Sequence, residues 1–384
     1  MSTQPAARDR VLQILRRQRP DRVPYAPNYW QWFTHHFNHH RLPDELQLCE
    51  NQLEMIRWLG LDVFSRNLYC DPTRHWFGGL AEEVWDGITV ENVRRVDGRD
   101  VVTEITYHTP AGVLTERRRF LFNESTLVQE KHLLDDFPRQ LDAFAYWVAC
   151  RRWHFHRHRY AQIRDAVGES GLVIAGELCS PLKLLHLAAG AAGTVYLLQD
   201  YPERCAELLA IHENGQLDLV RQMLDAGVPA MISMDNLDAA FHTPAYIERC
   251  SARFYAQASQ LCHTTGAVFF IHACGRQKAI LPLISSLGVD GLEGVAFPPL
   301  GDVQLEEAFR LAGDRLIITG GISAAETESF KTRDEVFRYV EGLLARLHPW
   351  ASRFMLSASC NTSILTPWEV IRWFRDAWAE MGGL

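Results

Sequence analysis

The chain has 384 residues, 47% of them hydrophobic, and a formal net charge of -8 at pH 7; that length buries one large core or two smaller ones. The charge is mild and dispersed, so no basic stripe marks a nucleic-acid partner. No run of about 18 apolar residues marks a membrane span.

The N-terminus opens polar and charged, with Ser2, Thr3 and Gln4 followed by Arg8 and Arg10, and it lacks the apolar core of a secretory signal. A cytoplasmic protein is therefore expected. Nine cysteines scattered through the sequence fit reduced thiols in that compartment. Most read as small buried hydrophobes, with Cys205 and Cys250 on the apolar faces of helices.

In chain order, residues 1–75 read as mainly helical, with an aromatic and histidine-rich stretch at 25–40. His35 and His39, like His36 and His40, share a helix face at a spacing that can hold a metal, but such a run is more often a packed or solvated face. Tyr29, Trp30, Trp32 and Phe33 fit either the core or an aromatic wall of a substrate site. From 82 to about 129 the hydrophobic period changes to two, with turn chemistry at Asp97-Gly98 and Ala111-Gly112, which predicts a small antiparallel sheet. His154, His156 and His158 alternate with Phe155 and Arg157 and read as an exposed helix.

From about 138 onward, short apolar strands alternate with helices: 172–178, 231–234, 268–272, 291–295, 316–319 and 353–357. Strands alternating with helices call for a parallel sheet, and these six units with an earlier strand at 62–65 approach the eight of a closed barrel. The fold class expected is α/β, a (β/α)8 TIM barrel forming one domain over 1–384. An N-terminal helical segment precedes it, and a small antiparallel sheet is inserted at about 82–129. Cap signals keep the register: Thr243 before Pro244, with Ile247, Cys250, Phe254 and Leu261 on one face until Gly266, and capping boxes at Ser323/Glu326, Thr332/Glu335 and Thr366/Glu369.

In such a barrel the residues just past each strand face one cavity. Those residues are Glu177, Asp235 with Asn236, His272 with Cys274, Glu293, Thr319 with Gly320-Gly321, and Cys360. An imidazole and two thiolates are ligands that Zn²⁺ favours, and three protein ligands leave the fourth position open, as in catalytic zinc sites. Glu293, Asp235 or water are alternatives for that position. Asp235 is also a candidate for binding substrate or for supporting a metal-bound histidine. Gly320-Gly321 fits either a phosphate cradle or a tight turn.

Asp21-Arg22-Val23-Pro24, Met234-Asp235-Asn236, His272-Ala273-Cys274-Gly275, Gly288-Val289-Asp290-Gly291, Cys360-Asn361-Thr362 and Thr366-Pro367-Trp368-Glu369 together resemble the uroporphyrinogen decarboxylase superfamily. Within it they look most like the corrinoid-dependent methyltransferase branch, over most of residues 10–380. The resemblance implies a (β/α)8 barrel of the uroporphyrinogen decarboxylase type that carries zinc on His272, Cys274 and Cys360. Decarboxylases of the superfamily carry an Arg-Gln-Ala-Gly-Arg signature near the N-terminus, where this chain has Tyr25-Ala26-Pro27-Asn28-Tyr29-Trp30.

The chemistry so implied is methyl transfer between a small methylated substrate, or a thiol acceptor, and a corrinoid: methylcobalamin in one direction, cob(I)alamin in the other. With the sequence ending at Leu384, the corrinoid is expected on a separate corrinoid protein or as free cobalamin. Catalytic candidates are Asp235, Glu177 and Glu293; substrate-binding candidates are Tyr29, Trp30 and Asn236. A homodimer stays open. The rival readings are a metal-independent decarboxylase working through Asp235 and basic cavity residues, and a noncatalytic corrinoid or ligand-binding module in which the triad is incidental.

Overall fold

Apolar runs bounded by short loops form the centre of the molecule in the computed structural model, which describes residues 6–66, 68 and 79–383. The strands in chain order are β1 (Val63–Ser65), β2 (Ala81–Trp85), β3 (Thr89–Asp97), β4 (Asp100–Thr109), β5 (Gly112–Leu121), β6 (Thr126–Lys131), β7 (Arg151–Phe155), β8 (Gly171–Val173), β9 (Ala175–Leu178), β10 (Ala230–Leu237), β11 (Val268–Ala273), β12 (Gly291–Val295), β13 (Ile317–Ile322) and β14 (Phe354–Ala358). β9 to β14 form a parallel sheet in chain order, and β1 pairs with β8 in parallel. β8 and β9 are separated by Ile174 alone, so the expected strand at 172–178 is present with one interruption.

Residues 24–26 lie between the two ends of this array. Ala26 N–H donates to Leu356 O at 2.9 Å, Leu356 N–H donates to Pro24 O at 2.8 Å, and Asp62 N–H donates to Tyr25 O at 3.0 Å. The buried Asp62 carboxylate reinforces the seam by accepting from Tyr25 N–H at 2.9 Å and Arg10 Nη1 at 2.5 Å. Burial pushes that carboxyl up to about 6 although Arg10 pulls the other way. Strands β10 to β14 are buried along nearly their whole length, as expected of a parallel sheet covered on its faces by helices.

The antiparallel insert is larger than 82–129. β3 to β6 make a four-stranded meander that ends at Lys131, whereas β2 leaves it to pair with β7. Arg151–Phe155 is therefore a strand, which places His154 in a sheet and His156 at a helix N-cap rather than on an exposed helix. Alternation with Phe155 had the period of a strand all along. The meander packs Tyr107 and Leu114 against the helices Phe137–Cys150 and Pro181–Asp200 in a second apolar cluster beside the main core.

Only one of the three expected capping boxes has both of its hydrogen bonds, that of Thr332 and Glu335. Ser323 makes no side-chain cap, and Thr366 instead bonds Thr327 Oγ1 at 2.8 Å, leaving Pro367 as the N-cap. Thr243 caps as expected, but its helix stops at Cys250 and a second runs Ala252–Thr265 to the left-handed Gly266. Cys205 and Cys250 are both buried. The eight described cysteines are free thiols. One helix, Pro181–Asp200, is long and apolar enough to cross a membrane by length and composition; Gly190 breaks it and its leucines fill the second cluster.

Candidate metal centre

His272, Cys274 and Cys360 meet at the carboxyl end of the parallel sheet, with one ligand atom from each within 4.8 Å of the others. Their elements explain the convergence. His272 is the penultimate residue of β11, Cys274 lies just past its end, and Cys360 follows β14 by two residues. Among the described residues this is the one trio of metal-binding side chains brought together.

The donor set fits zinc. Bonds of about 2.3 Å to sulfur and about 2.0 Å to nitrogen at tetrahedral angles separate the two donors by about 3.5 Å, and His272 Nε2 lies 3.5 Å from Cys360 Sγ. The Cys274 thiol donates to Cys360, which holds the Cys360 thiol well below its ordinary value; burial opposes this, and His272 and Arg66 add to the lowering. The lowering favours the thiolate, the form a metal binds.

The imidazole is oriented from behind. β11 and β12 are in register with His272 opposite Glu293, so the two side chains leave the sheet side by side. Glu293 Oε2 accepts from His272 Nδ1, and Glu293 Oε1 accepts from Arg66 Nη1, with Arg66 and Glu293 both buried. Burial alone would raise the Glu293 carboxyl, but Arg66 and His272 hold it down at about 2. Nδ1 is committed to Glu293, which leaves Nε2 as the metal-facing nitrogen. Glu293 thus takes the supporting place considered for Asp235, and both its oxygens are engaged away from the fourth position.

Backbone geometry crowds the ligands together. Gly294 has φ 88°, and a Cβ there would lie 3.1 Å from both Ala273 O and His272 Cε1 and 3.2 Å from Cys360 N. Cys360 itself has φ 96°, a left-handed value that costs a non-glycine residue of order 1 kcal/mol. Asn236, with φ 52°, is the second such residue at this end of the sheet.

A cavity of about 640 Å3 opens over His272 and Cys360 of the trio and is also lined by Asn236 and Glu177 of the sequence candidates, whereas Cys274 is outside its lining. That is the size of a small-molecule site. Arg118, Leu127, Val128 and Gln129 of the inserted meander form part of its wall. Glu177 accepts from Leu80 N–H at 2.9 Å, and burial pushes its carboxyl up to about 8 against the lowering by Leu80 and Ala81 amides. Lys183 also faces the cavity, and its ammonium makes no hydrogen bond or ion pair among the described residues. Gln216 Oε1 accepts from Cys179 N–H at 2.8 Å, while its Nε2 is buried without a partner in the same wall. Burial pushes the Cys179 thiol up to about 12.

The remaining candidates lie elsewhere. Asp235 is fully buried and outside the cavity lining, with Oδ1 accepting from Ser180 N–H at 2.9 Å and Oδ2 from Tyr255 O–H at 2.6 Å. Tyr29 is in the core, its hydroxyl 3.1 Å from that of Tyr25, and Trp30 is buried with its backbone N–H donating to Asn28 Oδ1; neither lines the cavity. The histidine run packs on itself, His35 stacking on His39 and His36 on Trp32. A Cβ at Gly320 would lie 2.6 Å from Val295 O, so this pair serves close strand packing and not a phosphate. Arg66 and Gly294 escaped the sequence reading; Arg66 sits just past the end of β1, where the same rule selects it, and Gly294 is the penultimate residue of β12.

Residues 143–381 match the family described as Uroporphyrinogen decarboxylase (URO-D). The chain belongs to this family. Among solved structures it is similar to a methyltransferase from Methanosarcina mazei, at 13% identity and a TM-score of 0.59 over 98% of this chain and 99% of that one. At that identity the likeness speaks for the fold alone. A B12-independent methionine synthase from Shewanella sp. W3-18-1 aligns at 12% identity and a TM-score of 0.44, covering 95% of this chain and 94% of that one, an overlap too loose to carry an argument. No curated protein matches the sequence.

Proposed function

We propose that this member of the URO-D family is a zinc-dependent methyltransferase. In this reading it moves a methyl group between a small methylated substrate or thiol and a corrinoid, which a separate protein carries or which binds as free cobalamin. The observation that carries the reading is the His272, Cys274 and Cys360 trio with His272 Nδ1 held by Glu293. Zinc bound there supplies Lewis acidity, which lowers a thiol's pKa or polarises the leaving atom of a methyl donor.

The chain's own residues do the rest. Arg66 and Glu293 hold the imidazole in one orientation. Glu177 keeps a proton in the cavity wall at neutral pH, available to a leaving group. Lys183 and the Gln216 amide offer donors to an acceptor-bearing end of the substrate. A cavity of about 640 Å3 suits a small ligand, so the far larger corrin ring is read as docking over the mouth. The strands are read as a closed (β/α)8 barrel within one domain, because residues 24–26 hydrogen-bond on one side to β14 and on the other to Asp62, which immediately precedes β1. The decarboxylase reading keeps its basic cavity residues, Lys183 and Arg151 among them, but loses Asp235, which is buried outside the cavity lining.

Metal analysis tests the proposal: near-stoichiometric zinc in purified protein, lost in Cys274→Ala and Cys360→Ala, is expected. Spectra of methylcobalamin with a panel of thiols, and of cob(I)alamin with a panel of methyl donors, should then show transfer. Metal-free protein with full activity would overturn the reading.

A further inference from the structure

β3 is an edge strand, paired with β4 on one side and with no strand on the other among the described residues. All nine of its residues are exposed, including Val93 at 60% and Val96 at 75%. A long exposed edge with three valines is a template for another strand, and it lacks the proline, bulge or short length by which proteins usually blunt such edges.

The partner can be read from parity and charge. Asp97 and Asp100 are register partners across the two-residue turn Gly98-Arg99, and such a turn closes on a hydrogen-bonded pair. Alternation then turns the backbone groups of 89, 91, 93, 95 and 97 toward β4 and those of 90, 92, 94 and 96 outward. An added antiparallel strand of the same sequence must match even positions with even. A two-fold axis centred on Val93 sets Val90 against Val96 and Asn92 against Arg94 as hydrogen-bonded pairs. It also sets Glu91 against Arg95, and Val93 against its own copy, in the closer non-hydrogen-bonded positions. Centring on Asn92 places Val90 against Arg94, and centring on Arg94 places Glu91 against Asp97 and Arg94 against itself. One register alone combines apolar matching with opposite charges.

We propose that two copies of this chain associate by antiparallel pairing of β3 about Val93, joining the two four-stranded meanders into one sheet of eight strands. The contact is isologous, each copy supplying the same patch. Glu91 lies 3.3 Å from His108 on β4, so the partner's Arg95 adds a cation to an existing cross-strand contact. The inserted meander thereby acquires a role independent of the chemistry proposed for the cavity. An interface built on one strand edge is small, which makes the association concentration-dependent.

Sedimentation velocity on the full chain over a concentration series tests this. A monomer–dimer equilibrium is expected. Val93→Lys should abolish it without disturbing the fold, because residue 93 is exposed and faces Glu104 on β4. Glu91→Arg and Arg95→Glu should each raise the dimer Kd about tenfold or more, since each replaces two attractive cross-strand pairs by two repulsive ones. The double variant should regain the dimer, and an equimolar mixture of the two single variants should form a heterodimer. Unchanged circular dichroism and melting temperature serve as the folding control. A monomer at every concentration up to about 1 mM, a dimer indifferent to Val93→Lys, or a double variant that fails to recover overturns the proposal.

Discussion

Replacing Glu293 by Gln separates two jobs that the carboxylate does at once. Its Oε2 fixes His272 through Nδ1, and its Oε1 pairs the guanidinium of Arg66, whose side chain is only 2% exposed. Losing the first weakens metal binding by about 10- to 100-fold, the range for partners that orient a ligating histidine, or about 1.4–2.7 kcal/mol. Losing the second strands a buried cation, which costs about 3–5 kcal/mol in fully buried pairs. Zinc competition against a chromophoric chelator measures the first quantity, and denaturant unfolding of the metal-free protein measures the second. In the double variant Arg66→Met/Glu293→Gln most of the stability should return while zinc affinity stays low. Zinc affinity within twofold of wild type in Glu293→Gln would refute the account of His272 orientation.

Three further outcomes follow from the same geometry. For Glu177 the folded carboxyl sits near 8, above its ordinary 4.5, so the folded state binds the proton more tightly; the stability this provides is complete below about pH 4.5 and lost as pH rises to 8. Because the side chain opens on the cavity the effect is scaled to about 1 kcal/mol, and Glu177→Gln should gain that much over wild type between pH 5 and 8 in parallel unfolding titrations; an identical pH slope in both would refute it. Gly294→Ala should cost about 1–3 kcal/mol, from the left-handed backbone and the contacts a Cβ makes with His272 and Cys360, and should lower zinc affinity with it, both read as above; an unaltered protein would show that the ligands are not crowded. Asp235→Asn should destabilise by about 1–3 kcal/mol, because an NH2 replaces one of the two acceptors that face Ser180 N–H and Tyr255 O–H, while zinc content stays near stoichiometric, and loss of zinc would restore Asp235 to the metal site.

Much was legible in the chain alone. The alternation of apolar runs with helix signals located the parallel strands β9 to β14 within a few residues, because strands covered on both faces must be continuously apolar whatever their neighbours are. The strand-end rule brought His272, Cys274 and Cys360 together, and the chemistry of an imidazole with two thiols named the metal they suit. Period two marked the inserted sheet.

Other features depended on pairing, which a single sequence does not record. The register of His272 with Glu293 decided which acid supports the imidazole, and Asp235, at an equivalent strand end, turned to Ser180 and Tyr255 instead. Tyr29 entered the core because the segment at 24–26 is drawn between β14 and Asp62 by backbone hydrogen bonds, invisible in composition. Arg151–Phe155 became a strand only by finding β2, about seventy residues earlier in the chain. Local chemistry and periodicity specify what each segment can do, while the contacts between distant segments select which of those options is used.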